Sequence, residues 1–201
     1  MFLLAELTFI FTPSLAQSLP QLETLEVSCC DELKYIVRKQ DDERAIIPEF
    51  LSFQKLKTLL ISDCDNLEYV VPSSLSPSLV NLKQMTIRHC GKLEYVFPVS
   101  VAPSLLNLEQ MTIFADNLKQ IFYSGEEDAL PRDGIVKLPR LREMDLSSKS
   151  NSSFFGPKNR AAQLPFLQNL SILDHEELGN LLAQLQVRPL YFSANVFSFS
   201  S

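Results

Sequence analysis

Glycine is scarce, tryptophan is absent, and histidine and cysteine are few: 201 residues hold five Gly, two His and four Cys. Five glycines leave little material for a loop that cradles phosphate, and neither G-x-x-x-x-G-K-[ST] nor G-x-G-x-x-G occurs. Two imidazoles and four thiols limit metal binding and acid–base catalysis, so neither a metal nor a cofactor is expected, and no enzymatic activity. Positive charge is also short. Lys and Arg number 18 against 24 Asp and Glu, for a formal charge of −6, whereas a duplex-binding surface wants a basic excess. Nucleic acid is not an expected partner. Nor is a membrane, because the one conspicuous apolar run is too short to span a bilayer. Against these absences stand 46% hydrophobic and 21% charged residues, the composition of a globular chain.

That apolar run, Met1 to Phe11, followed by Ser14-Leu15-Ala16-Gln17, has the outline of a secretory signal. No Lys or Arg precedes it, however, and Glu6 interrupts it. A better account comes from alignment. Leu7 to Val27 (LTFIFTPSLAQSLPQLETLEV) lies without a gap on Leu93 to Ile113 (LEYVFPVSVAPSLLNLEQMTI), with Phe11 over Phe97 and Leu22 over Leu108. The N-terminus thus reads as the second half of a repeat.

Six segments share one phrase: LETLEVSCC from Leu22, LKTLLISDC from Leu56, LKQMTIRHC from Leu82, LEQMTIFAD from Leu108, LREMDLSSK from Leu141 and LQNLSILDH from Leu167. Their first leucines are 34, 26, 26, 33 and 26 residues apart. The phrase L-x-x-[LM]-x-[ILV]-x-x, closed by Cys in the first three copies, is the leucine-rich-repeat signature. A further Leu follows at Leu33, Leu67, Leu93 and Leu178, and arrives one residue early at Leu118, as a single deletion would produce. Within the phrase, Leu25-x-Val27, Leu59-x-Ile61 and Met85-x-Ile87 alternate with period 2 and face one side of a strand. So short a strand cannot bury that side alone, but copies stacked in parallel share one core. Spaced at about 4.8 Å, six strands extend about 24 Å. Return segments such as YVVPSSLSPSLVN (Tyr69 to Asn81) carry two prolines each, which disfavour helix. The fold expected is an α/β solenoid: a leucine-rich-repeat horseshoe with a parallel sheet of about six short strands on the concave face. Its convex segments should be irregular, 3-10 or briefly helical.

The solenoid is expected over residues 1–182, with acidic insertions near 38–50 and 123–137. Asp41-Asp42-Glu43-Arg44 and Glu126-Glu127-Asp128 mark them, read first as solvated loops that closure entropy tolerates. The fifth copy is degenerate through SSKSNSS (Ser147 to Ser153), expected as a flexible loop. Residues 183–201 lose the register and read as a non-repeat tail. Neither end shows a polar cap, so the chain reads as a stretch of a longer solenoid.

Cys30, Cys64 and Cys90 sit at the ninth position, where the chain leaves the strand and a small thiol can face turn carbonyls. They are expected as structural, unpaired and intracellular. His89 precedes Cys90, but neighbours at a strand end diverge and no third group orients them, so no nucleophile–base pair is expected. Asn151-Ser152-Ser153 and Asn169-Leu170-Ser171 match the glycosylation sequon by chance.

The residues between core positions form a grid on the concave side, where repeat proteins bind. Its charges alternate in sign from rung to rung, with a basic island at Lys57, Lys83 and Arg88, a mosaic suited to a protein surface rather than to a phosphate backbone. The candidate partner-binding residues are Lys57, Lys83, Arg88, His89, Glu109, Phe114, Arg142 and Asp145.

In CDNLEYVVPSSLSPSLVNLKQMTI (Cys64 to Ile87) and CGKLEYVFPVSVAPSLLNLEQMTI (Cys90 to Ile113), the chain resembles the C-terminal repeats of plant coiled-coil, nucleotide-binding, leucine-rich-repeat disease resistance proteins. The string C-[DG]-x-L-[EK]-Y-[IV] and the acidic stretch before Ile46 to Phe50 (IIPEF) add to the likeness, which covers about Leu7 to Leu182. The resemblance implies a cytoplasmic immune receptor whose repeats take part in pathogen-effector recognition or autoinhibition. Partners would be an effector, a guarded host protein or the receptor's own nucleotide-binding domain. No phosphate-binding loop is present, so the chain does not itself turn over ATP. Two alternatives stay open: the repeat region of an F-box-type ubiquitin-ligase substrate adaptor, and a structural repeat with no independent function. The 33- and 34-residue copies and paired prolines weigh against the adaptor.

Overall fold

The computed structural model describes residues 7–38, 53–71, 79–123, 135–149, 154–155, 161–173, 185–187 and 193–197. Residues 39–50 and 124–134, the greater part of the two acidic insertions, lie outside the described residues, as do Asn151 and His175.

Each copy of the phrase forms a five-residue strand: Thr24–Ser28, Thr58–Ser62, Gln84–Arg88, Gln110–Phe114, Glu143–Ser147 and Asn169–Leu173. The strands pair in parallel and in sequence order, as rungs one to six of one sheet. Register is set by the buried side of the alternation. Leu25, Leu59, Met85, Met111, Met144 and Leu170 stand side by side on consecutive rungs. Val27, Ile61, Ile87, Ile113, Leu146 and Ile172 form the second core column. A slip of one residue would turn every one of these side chains to water. In the third rung, Met85 and Ile87 are fully buried while Gln84 and Arg88 are exposed. The long copies keep the same pairing because their extra residues fall between strands.

Beyond the expected six, Ser193–Phe197 joins as a seventh rung, pairing residue for residue with Asn169–Leu173. It lies in the stretch read from sequence as a non-repeat tail. In this register Ala194 and Val196 fall opposite Leu170 and Ile172, and the phrase would open on Tyr191 instead of Leu. Only the valine survives of the usual apolar set, which is why the pattern fades there.

How the chain leaves each rung accounts for the cysteines and for the early Leu118. In the first three rungs the eighth residue of the phrase adopts a left-handed conformation: Cys29 (φ 54°), Asp63 (φ 53°) and His89 (φ 51°). The ninth residue then turns inward, and Cys30, Cys64 and Cys90 each donate their thiol to the carbonyl two residues back, at 3.3 Å. The fourth rung lacks the left-handed residue, and Ala115 combines both roles. Its N–H bonds to the Ser147 carbonyl, and its own carbonyl accepts from Leu118 as those of the cysteines accept from Leu33, Leu67 and Leu93. The fifth rung is shortened in the same way. There Ser148, fully buried, donates to the carbonyls of Leu118 (3.0 Å) and Asp116 (3.3 Å). Hydroxyl replaces thiol at one structural position. All four cysteines are free thiols, and burial pushes Cys64 up to about 11 and Cys90 up to about 12.

The return side carries short ladders of its own. Phe9–Phe11 pairs with Tyr35–Val37, Tyr69 bridges Tyr35 and Tyr95, and Tyr95–Pro98 pairs with Gln120–Tyr123. Farther along, Ile135–Lys137, Ala161–Leu164 and Leu185–Val187 form a third parallel ladder. Where prolines fall, helical turns replace strand. Pro13–Gln17 is one turn of α-helix with Thr12 capping the Leu15 N–H at 3.2 Å, and Val99–Ser104 is a 3-10 segment. Between sheet and return side runs an apolar core in which, among the described residues, Phe97, Phe122, Phe154 and Phe155 are the largest fully buried side chains. Asn81 and Asn107 tie successive rungs by donating to the carbonyls of Gln54 (2.5 Å) and Val80 (2.6 Å).

Candidate functional site

The outward side chains of the rungs form four columns, each repeating at the strand spacing. The first holds Glu23, Lys57, Lys83, Glu109, Arg142 and Gln168, just ahead of the strands. The second runs Thr24, Thr58, Gln84, Gln110, Glu143, Asn169, and the third Glu26, Leu60, Thr86, Thr112, Asp145, Ser171. The last runs Ser28, Ser62, Arg88, Phe114, Ser147, Leu173. Seven of the eight residues singled out in the sequence belong to these columns. His89 stands just past its strand, at the left-handed turn, with Nδ1 3.0 Å from Asp63 Oδ1.

Contacts along the columns sort the charges. Lys57 is paired with Glu23 at 2.9 Å, and the hydrogen bond and charge of that ammonium hold the Glu23 carboxyl below its usual value. Gln110 donates to Glu143 at 2.8 Å, and Thr112 reaches Asp145 at 3.4 Å. The Arg88 guanidinium lies over the Phe114 ring, 5.2 Å from its centroid. Among the described residues, Lys83, Arg88 and Arg142 have no carboxylate partner, although three other lysines, Lys57, Lys119 and Lys149, are each ion-paired.

Two features escaped the sequence pattern. Phe166, 63% exposed, borders a groove with Glu109, Arg140 and Arg142. It precedes the phrase by one residue, where Asn81, Asn107 and Arg140 stand in other copies, so the signal was an aromatic at an otherwise polar position. A second groove on the return side is lined by Glu68, Tyr69, Lys92, Glu94, Tyr95 and Asn117, beside the stacked pair Tyr35–Tyr69 with ring centroids 4.5 Å apart. Neither groove brings together a nucleophile, a base and an orienting group. Among the described residues no cluster of three or more His, Cys, Asp or Glu is disposed to hold a metal ion, and no helix is long and apolar enough to cross a membrane.

A family model described as plant disease resistance protein RPS2-like, leucine-rich repeats, matches residues 6–117, which contain the first four rungs. No curated protein matches the chain.

Proposed function

The chain belongs to the RPS2-like leucine-rich-repeat family of plant disease resistance proteins, and on that footing we propose that its concave sheet binds protein in the defence response of a cytoplasmic immune receptor. The contact serves recognition of a pathogen effector or a guarded host protein, or holds the receptor's own nucleotide-binding domain inactive. Leucine-rich repeats are generally interaction modules without catalytic activity, and family membership sets disease resistance ahead of the F-box adaptor.

The observation that carries the proposal is the division of labour along each rung. Alternate residues are sealed in the core, and the intervening ones form a continuous outward grid of mixed charge with an arginine laid on an aromatic ring. Aromatic and Arg side chains dominate the energetics of protein interfaces. Mixed charge gives specificity toward one partner more than raw affinity.

A bulky side chain at the centre of the grid tests this. Thr86 points outward and is half-buried, so Thr86→Trp obstructs the face without filling the core. In leaf tissue expressing the receptor that carries these repeats, the variant should accumulate normally. It should either lose the triggered cell-death response or die without a trigger. Wild-type behaviour at wild-type abundance would contradict a binding role for this face.

A further inference from the structure

Lys83 and Arg88 terminate the same rung, at opposite edges of the concave sheet. Elsewhere on the sheet charge is answered: Lys57 by Glu23, Glu143 by Gln110, Asp145 by Thr112. Arg88 is held differently. Its guanidinium lies over Phe114, 5.2 Å from the ring centroid, so part of its freedom is already given up before any ligand arrives. Two rungs farther on, Arg142 stands in the same column as Lys83, beside exposed Phe166. These three cations have no carboxylate partner among the described residues, in a chain whose net charge is −6. Arg88 lies over an aromatic ring and Arg142 lines a groove with another.

We infer that Lys83, Arg88 and Arg142 are the anchor points for a carboxylate-bearing segment of the protein partner. The inference rests on the concave face being the binding face, and adds the chemistry of what binds there. A guanidinium offers a carboxylate two parallel N–H donors, and one already resting against a ring loses less side-chain freedom on binding. Lys83, just ahead of the strand, and Arg88 at its end are five residues apart, about 16 Å at the usual rise. Between them lie Gln84 and Thr86, polar but uncharged, which can hydrogen-bond a backbone. An extended segment laid along this rung, with acidic side chains four or six residues apart and so on one face, meets both cations. Lys83 and Arg142 lie about two rung spacings apart, roughly 10 Å, with Glu109 between them in the column, so a segment crossing the rungs meets both only with acidic side chains placed on either side of Glu109.

Fluorescein-labelled octaglutamate is the probe, with octaserine as the uncharged control, and binding to the full chain is followed by anisotropy at low and physiological salt. Octaglutamate should bind, more weakly as salt rises, and octaserine should not. The triple variant Lys83→Gln, Arg88→Gln, Arg142→Gln should weaken octaglutamate binding by about tenfold or more. Removing three positive charges from the return side, with Lys34→Gln, Lys92→Gln and Lys119→Gln, should leave it within about twofold. Phe114→Ala removes no charge but frees Arg88, and should weaken binding by about threefold. Equal losses in the two triple variants, or no octaglutamate binding to the wild type, overturn the inference. If the concave triple binds octaglutamate normally while Thr86→Trp still disturbs the receptor, the acidic partner is refuted and the protein-binding face stands. If both variants behave as wild type, both proposals fall.

Discussion

The Cys64 and Cys90 thiols show how a residue that looks reactive becomes inert. Each is buried, spends its proton on a carbonyl two residues back, and has its ionisation pushed up to about 11 and about 12 by burial. The thiolate is the nucleophile, so neither should react with a disulfide reagent at pH 8 in the native state, whereas exposed Cys29 should. A thiol count on native and unfolded protein checks this. The same shifts act on stability. An unfolded thiol ionises near 9.0 and the folded ones at about 11 and 12, so their contribution is full below pH 9 and is lost as pH rises through that window. Between pH 9 and 11, the melting temperature of the wild type should fall more than that of Cys64→Ala/Cys90→Ala. Parallel profiles would contradict the assignment. The inward role of the cysteines was legible from their ninth position in the phrase. Ser148 was not, because its rung has lost the left-handed residue and the serine sits one place early. That left-handed position has its own test. A β-branched side chain is strained at positive φ, so Asp63→Val should cost about 1–3 kcal/mol in urea unfolding, and Asp63→Asn far less.

At the scale of elements, a strand counts through what its neighbours bury. Met85 is fully buried between Leu59 and Met111, whereas Leu25 on the first rung is only partly buried. Met85→Ala should therefore cost about 2–5 kcal/mol in urea denaturation, and Leu25→Ala distinctly less. Equal losses would mean that the rungs do not share a core. Six strands could be read from the sequence because leucine spacing and period-2 alternation coincide there. The return side could not be read as closely. Its ladders, such as Phe9–Phe11 on Tyr35–Val37, are three or four residues long, too short for periodicity to register. What could be read was the effect of proline, and the helical turns at Pro13–Gln17 and Val99–Ser104 fall in segments aligned from sequence alone. Of the candidate site, the columns followed directly from alternation. The stacking of Arg88 on Phe114 did not, since it needs two rungs in register and one ring turned beneath the guanidinium.

At the scale of the whole molecule, each rung touches its neighbours and little else, so stability is a sum of local terms. Opening is then easiest where a rung is least enclosed. Hydrogen exchange should be slowest for the amides of Met85, Ile87, Met111 and Ile113, and faster for Leu25 and Val27. A uniform exchange rate would point to a single cooperative block. The concave surface inherits its continuity from the same stacking, because columns of outward side chains exist only if the inward ones are aligned. Three of the four methionines, Met85, Met111 and Met144, lie in one core column on consecutive rungs. Selective labelling of the methionine methyl groups makes this alignment visible by NMR. The account predicts a chain of methyl–methyl contacts from Met85 to Met111 and from Met111 to Met144; labelled methyls in a folded chain with neither contact would contradict it.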